Sequence, residues 1–519
     1  MRVSSNQVLF SGLNAMLDQQ ARLNKTQLQI ASGKKILTPA DDPAAAANVL
    51  NLQQSLNITT QYQENAGYAR IRLNTEETSL SSISNVLGRV RELALQGNNA
   101  ALSDNERGSI ALEVRQRIDE LLALANSRDA AGNYLYAGYQ ETVQPFSVDS
   151  AGNYSYNGDN GQRFVQIGAS RQVAVGDSGA DVFMAIRNGN GAFTVREDSA
   201  NGGSGVIDPG FVADPAAYDG DDYRIVFPIE TQAAASLSFG DGNGNDTLSY
   251  SLSINGTVVY TVDEDGTPAS TLDDLAAEIN DDVPATGVKA YVADGVLYLA
   301  NTTPSATPIV VTEAMSGGSD GDDDAVSGYF GSQLSGATAP SVDQAFGAGD
   351  ADFYVVEDSS GNMEGSGAYK EGAQIAFNGI QTFITGAPRS SDGFTVKPSR
   401  NQDMFTTLND LADALEAGAS DPNGKAFLNN AINRALMDID RSLDRVNEVR
   451  AKVGARLNAI DAQESLNEDY KLQLESALSG LQDLDYAEAI TRLNQQQVAL
   501  QAAQQSYVQI MGMSLFNYI

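Results

Sequence analysis

The chain contains no cysteine and no histidine. The first absence excludes disulfides, thiolate nucleophiles and cysteine zinc sites. The second excludes Ser-His-Asp triads, imidazole general bases and histidine metal clusters. Positive charge is scarce: 32 Lys and Arg face 67 Asp and Glu, a formal net charge of −35. A field of that sign repels phosphate, and no local basic patch offsets it, so no nucleic-acid partner is expected. No run of 18 apolar residues occurs, so no membrane insertion is expected either. The first 30 residues scatter Asn, Gln, Arg and Asp through an apolar pattern. A cleaved signal peptide would need a basic start and an uninterrupted apolar stretch, so this segment reads as a mature helix. There is no P-loop, dinucleotide fingerprint or nucleophile elbow, and no enzyme is expected.

What is present divides unevenly. A length of 519 residues with 42% hydrophobic content suffices for two to four packed domains. Residues 141–400 hold 37 of the acidic side chains but only 10 of the basic ones, with 35 of the 48 glycines and 11 of the 14 prolines. Glycine and proline punctuate turns, so this block predicts short strands and loops, while the flanks predict long helices. The fold class expected is multidomain α+β. Terminal coiled-coil helices and an α-helical bundle, formed jointly by the N- and C-terminal regions, carry an inserted β-rich variable region. The expected divisions are 1–40 plus 486–519 (terminal assembly domain), 41–167 plus 400–485 (bundle) and 168–399 (acidic outer region). A ββαββ module is nested at about 236–312, with hairpin turns at Asn255-Gly256 and Asp294-Gly295.

The helical flanks carry heptads. Leu9, Met16, Leu23 and Ile30 recur every seven residues, with Leu13, Gln20 and Gln27 four residues after the first three. Tyr486, Leu493, Leu500 and Tyr507 do the same, followed at four by Ile490, Gln497, Gln504 and Met511. Two seams of one unusual composition, apolar in one row and glutamine-rich in the other, predict packing on each other or on copies of themselves. Further in, Ile432, Ile439, Val446, Val453 and Ile460 repeat by seven, interleaved with Leu436, Leu443 and Leu457, and with Arg450 as a break. Helices are also expected over 44–56, 71–95 and 110–124. Between seam and bundle lies a joint: Gly33 can end one helix at positive φ, and Asp41-Asp42-Pro43 can cap the next.

Two acidic loops could take Ca²⁺, Asp320 to Asp324 and the Gly242-Asn243-Gly244-Asn245-Asp246 stretch. The first lacks EF-hand spacing, and the second is a single copy of a repeat that needs several. A calcium-dependent extracellular adhesin is the reading of another class that they support.

Ile30-Ala31-Ser32-Gly33-Lys34-Lys35-Ile36 with Asp41-Asp42-Pro43-Ala44, and Asp485-Tyr486-Ala487-Glu488-Ala489-Ile490 running on through Leu500-Gln501-Ala502, resemble the two terminal signatures of the bacterial flagellin superfamily. Met1-Arg2-Val3-Ser4, Tyr134-Leu135-Tyr136-Ala137-Gly138 and the ending Ser514 to Ile519 are most similar to the hook-associated protein 3 branch, with Tyr136 where that branch usually has Phe. The resemblance implies a structural role, joining hook to flagellin filament by self-assembly through terminal helices that fold on assembly. It also implies export through the flagellar type III channel without cleavage, a location on the extracellular flagellum and no cofactor. The implied partners are copies of the chain, a neighbouring hook-associated protein on the hook side, a junction protein or flagellin on the filament side, and an export chaperone. A flagellin filament subunit is the alternative within the superfamily.

Overall fold

The computed structural model describes residues 5–516 except 151, 235, 240–247, 264–265, 306, 318–324, 336–340, 348 and 420. Eight α-helices are described: α1 (Ser5–Ser32), α2 (Pro43–Gly97), α3 (Asp104–Ala125), α4 (Leu272–Asp281), α5 (Val283–Thr286), α6 (Met404–Ala417), α7 (Pro422–Gln482) and α8 (Tyr486–Phe516). The helices expected over 44–56 and 71–95 are one element, α2, because the polar stretch between them contains no proline and only one glycine, Gly67.

The chain forms two compact units. One comprises 1–74, 163–175 and 453–519; the other comprises 75–162 and 176–452. The expected boundary at 167/168 instead cuts a β-hairpin, Phe164–Gly168 with Arg171–Ala174. That hairpin belongs with the first unit, where its backbone carbonyls are taken by helix side chains. Asn65 Nδ2 donates to Gln166 O at 2.8 Å and Asn467 Nδ2 to Ile167 O at 2.9 Å. Sequence spacing carries no signal for such side-chain-to-backbone bonds.

In the second unit, helical and β parts have separate cores. Leu80, Ile83, Leu87, Val90 and Ala94 of α2 and Ile432, Ile439, Val446 and Val449 of α7 are fully buried. Arg450, the break in that repeat, donates to Glu77 Oε1 at 2.7 Å. The second buried row on α7 is Ala435, Ser442 and Val449, three residues after each heptad position; Leu436 and Leu443 flank it half-buried. An aromatic cluster of Tyr136, Phe146, Phe183 and Phe405 fills the adjoining space, with ring centroids 5.1–6.0 Å apart.

The β part has a five-stranded antiparallel sheet in the order Met363–Ala368, Phe353–Glu357, Tyr223–Val226, Gly393–Pro398, Phe193–Glu197. The ββαββ order is present as Ser249–Ile254, Thr257–Asp263, α4, Val288–Ala293 and Val296–Asn301. Thr271 and Asp274 make a reciprocal capping box at the start of α4. The two hairpins, however, do not share a sheet. The first joins Ile309–Ser316 and Val342–Phe346, and the second joins Ile229–Glu230. One core, running from Leu237 to Leu334 with Val342 and Phe346 packed against it, unites both hairpins with residues beyond the expected limit at 312.

Candidate assembly interface

Within the first unit, α1 and α8 lie antiparallel. Gln19 Nε2 donates to Gln496 O at 3.4 Å, and a Cβ added at Gly12 would meet the Tyr507 ring at 3.4 Å. Met16, Leu23, Ile30, Leu493, Leu500 and Tyr507 are half-buried along this seam, and Leu13 sits at its margin. The side chains of Leu9 and Met511 lie outside the described residues. Tyr486 and Ile490 are 51% and 48% exposed, so the seam does not include them.

The second row of the seam differs from expectation. Gln20, Gln27, Gln497 and Gln504 are exposed; the row is Gly12, Gln19 and Thr26 on α1, facing Ala489, Gln496 and Ala503 on α8. The same shift, three residues rather than four, holds on α7. A heptad steps three then four, so either row is reachable from the first. Here the small residues let the helices approach, and the alternative row would have buried four glutamine amides at a desolvation cost. Two glutamines still enter the seam: Gln19 donates to the Gln496 backbone carbonyl, while the Gln496 side-chain oxygen is buried there without a hydrogen-bond partner among the described residues.

Three large apolar side chains of α1 stand outside this seam, among exposed polar residues such as Asn14 and Asn24. Phe10, Leu17 and Leu28 are 66%, 53% and 60% exposed and lie roughly 100–160° around the helix from the Met16–Leu23–Ile30 row at about 100° per residue. Val498 and Val508 are likewise exposed on α8. A helix with one stripe packed and another open has used half of its burial capacity.

The joint residues come together. Gly33 takes φ +67° and its carbonyl accepts from Leu484 N at 3.0 Å, while Lys35 N donates to Gln482 O at 2.8 Å. The chain after α1 thus pairs with the connection between α7 and α8. A Cβ at Gly33 would approach the Tyr486 hydroxyl at 3.0 Å. Asp42 Oδ1 accepts from Ala45 N at 3.0 Å, and Pro43 opens α2. Asp41 Oδ2 accepts from Leu37 N at 3.0 Å and Thr38 N at 2.9 Å, and its other oxygen meets Lys25 Nζ at 2.6 Å. The Lys25 hydrogen bond, then the Thr38 amide, hold this carboxyl down at about 2. Lys25 ties α1 to the joint, a role that no pattern around it signals, since nothing marks it apart from the other cations of the segment.

The calcium candidates Asp320 to Asp324 and Gly242 to Asp246 lie outside the described residues; among the described residues no group of three metal-ligating side chains assembles. Nor is any described helix long and apolar enough to cross a membrane.

This architecture, two helical ends meeting around an inserted β region, coincides with family similarity at both ends. Residues 3–141 match the bacterial flagellin N-terminal helical region, and 436–519 match the bacterial flagellin C-terminal helical region. Both ends of the chain are flagellin-type helical regions. Among curated relatives, flagellar hook-associated protein 3 of Salmonella typhimurium is 30% identical over 186 residues, 36% of this chain and 58% of the relative. That of Escherichia coli K12 is 31% identical over the same shares. The chain thus spans somewhat over half the length of these relatives. A solved structure, the flagellar junction protein FlgL of Legionella pneumophila, superposes with a TM-score of 0.55 at 26% identity, covering 84% of this chain and all of that one.

Proposed function

We propose that this chain is a structural component of the bacterial flagellum, a hook-associated junction protein that connects the hook to the flagellin filament. It does so by self-assembly through α1 and α8, with no catalytic role. The observation that carries the assembly step is the open stripe of Phe10, Leu17 and Leu28 on a helix whose other stripe is already packed. A second copy presenting the same paired helices supplies apolar surface of the matching kind, and burying each such side chain contributes about 1.5–3 kcal/mol. The likeness to hook-associated protein 3 supports placement at the junction. Residues 1–40 plus 486–519 serve as the assembly domain, and Gly33, Asp41, Asp42 and Pro43 set the angle between α1 and α2. The partners are copies of the chain, a hook-associated protein on the hook side and a junction protein or flagellin on the filament side. An export chaperone accompanies it, and the protein leaves the cell uncleaved to work on the extracellular flagellum.

A flagellin filament subunit is the second reading, supported by 24% identity over 521 residues to a Salmonella choleraesuis flagellin. Deleting the gene in its motile host separates the two. Bare hooks with flagellin shed into the medium are the expected result. Filament loss with no flagellin in the medium would make this chain the filament subunit, and unaltered swimming would refute both.

A further inference from the structure

The two compact units differ sharply in charge. The first (1–74, 163–175 and 453–519) contains twelve basic and twelve acidic side chains, a formal charge of zero. The second (75–162 and 176–452) contains 20 basic and 55 acidic side chains, so all 35 excess negative charges are on it. The partition does not follow the helix–strand division, because the hairpin at 164–174 brings Arg163 and Arg171 to the helical unit. Without those two cations the first unit would also be negative.

From this we infer that the second unit acts as an electrostatic brake on assembly of the chain with itself, set by the ionic strength outside the cell. The inference rests on the self-assembly proposed above and specifies its regulation. The neutral unit carries the open apolar stripe of Phe10, Leu17 and Leu28, and its contact with a second copy meets no net repulsion. Every copy so joined brings along 35 uncompensated charges on a continuous chain. Those charges repel over about 30 Å at 0.01 M salt and about 8 Å at 0.15 M. Dilute medium therefore opposes assembly, and salt of ordinary physiological strength releases it. Local ion pairs do not relieve the excess, since pairs such as Arg115 with Asp413 and Glu416 use cations already counted.

The test uses the full chain, with sedimentation measuring the concentration at which it assembles between 10 and 150 mM NaCl. The expected result is a fall of about tenfold or more across that range, as screening shortens the reach of the charge. The comparison is a variant with Glu230→Gln, Asp263→Asn, Asp273→Asn, Glu278→Gln, Asp281→Asn and Asp352→Asn, all at exposed positions of the second unit. Repulsion scales with the product of the charges, so going from −35 to −29 should flatten the salt dependence by roughly a third. Salting-out of apolar surface would leave the two slopes equal, and that result would overturn the inference. Assembly independent of salt would overturn it too, while leaving the proposed function standing. No assembly at any salt concentration would instead remove the self-assembly on which both rest.

Discussion

At the scale of single residues, the carboxylates of the second unit show how burial and hydrogen bonding compete. Glu313 is 1% exposed, yet four donors converge on it: the Tyr250 hydroxyl, Phe330 N at 3.1 Å, Ser332 N at 3.3 Å and Ser332 Oγ at 2.6 Å. A buried carboxylate so surrounded fixes the 328–332 turn to the sheet. Asp438 is less well supplied. Gly189 N donates to its Oδ1 at 2.6 Å, and Arg434, Arg196, Asp410 and Asp413 line the same cavity of about 280 Å³. Burial dominates and pushes its carboxyl up to about 6, against which the Gly189 amide and Arg434 act and with which Asp410 acts. Folding therefore binds a proton to this site between pH about 4 and 6, and its ionisation weakens the fold as pH rises through that window. Asp438→Asn keeps an acceptor for Gly189 and removes the charge. Its expected effect is to raise stability by about 1–3 kcal/mol at pH 7 and by nothing at pH 4. Thermal unfolding at the two pH values checks this; equal gains at both would mean that the site does not titrate.

At the scale of elements, one geometric rule sorts the helices. On α1 and α8, and on α7 after Ile432, Ile439 and Val446, the residue three after the heptad position faces inward, and the residue four after it sits at the margin or in solvent. The rule bears on Leu493, which is half-buried on α8 between Ala489 and Gln496 and faces α1. Leu493→Asp puts a carboxylate into that half-buried apolar row, where burial desolvates the charge. Export should continue, because an unfolded chain has no seam to disturb, while incorporation into flagella should stop. Recovering the variant from purified hook–filament structures would refute that. A second regularity is in the turns. Asp129, Asp149 and Asp358 each stand four residues before an Asn, with Gly just ahead of it, and each accepts from that Asn backbone N–H at 2.7–2.9 Å. The glycines take φ +86°, +86° and +83°, a left-handed conformation that costs other residues about 1–2 kcal/mol. Three hairpins far apart in the chain thus use the same five-residue closure.

For the whole molecule, depth of burial differs between the ends and the rest. Of α1, only Thr26 and Gln29 are buried among the described side chains, and of α8 only Ala489. The core of the second unit contains Tyr250, Phe394 and Phe405 with no exposure. Local opening free energy follows such differences. In a dilute monomer, a short proteolysis series should remove residues 1–40 and 486–519 first and leave a resistant middle. Ends that survive as long as the middle would contradict folding on assembly.

The helical ends, the β-rich middle, the hairpin turns at Asn255-Gly256 and Asp294-Gly295, and the flagellin-type character of both termini are all legible in the order of residues. These are local matters: heptad spacing, glycine at left-handed positions and caps depend on residues a few steps apart. Which of two seam rows is buried is settled only in three dimensions, because that choice turns on how closely two helices can approach, and Gly12 and Ala503 let them approach on one side only. The separation of the two hairpins of the 236–312 segment into different sheets is also a tertiary matter, since strand order is set by long-range pairing with Ile309–Ser316 and Ile229–Glu230. So is the place of the hairpin at 164–174 with the helical ends, where Asn65 and Asn467 meet its carbonyls across about 100 and 300 residues of chain. No periodicity spans such distances, so contacts of that kind are legible only once the chain has folded.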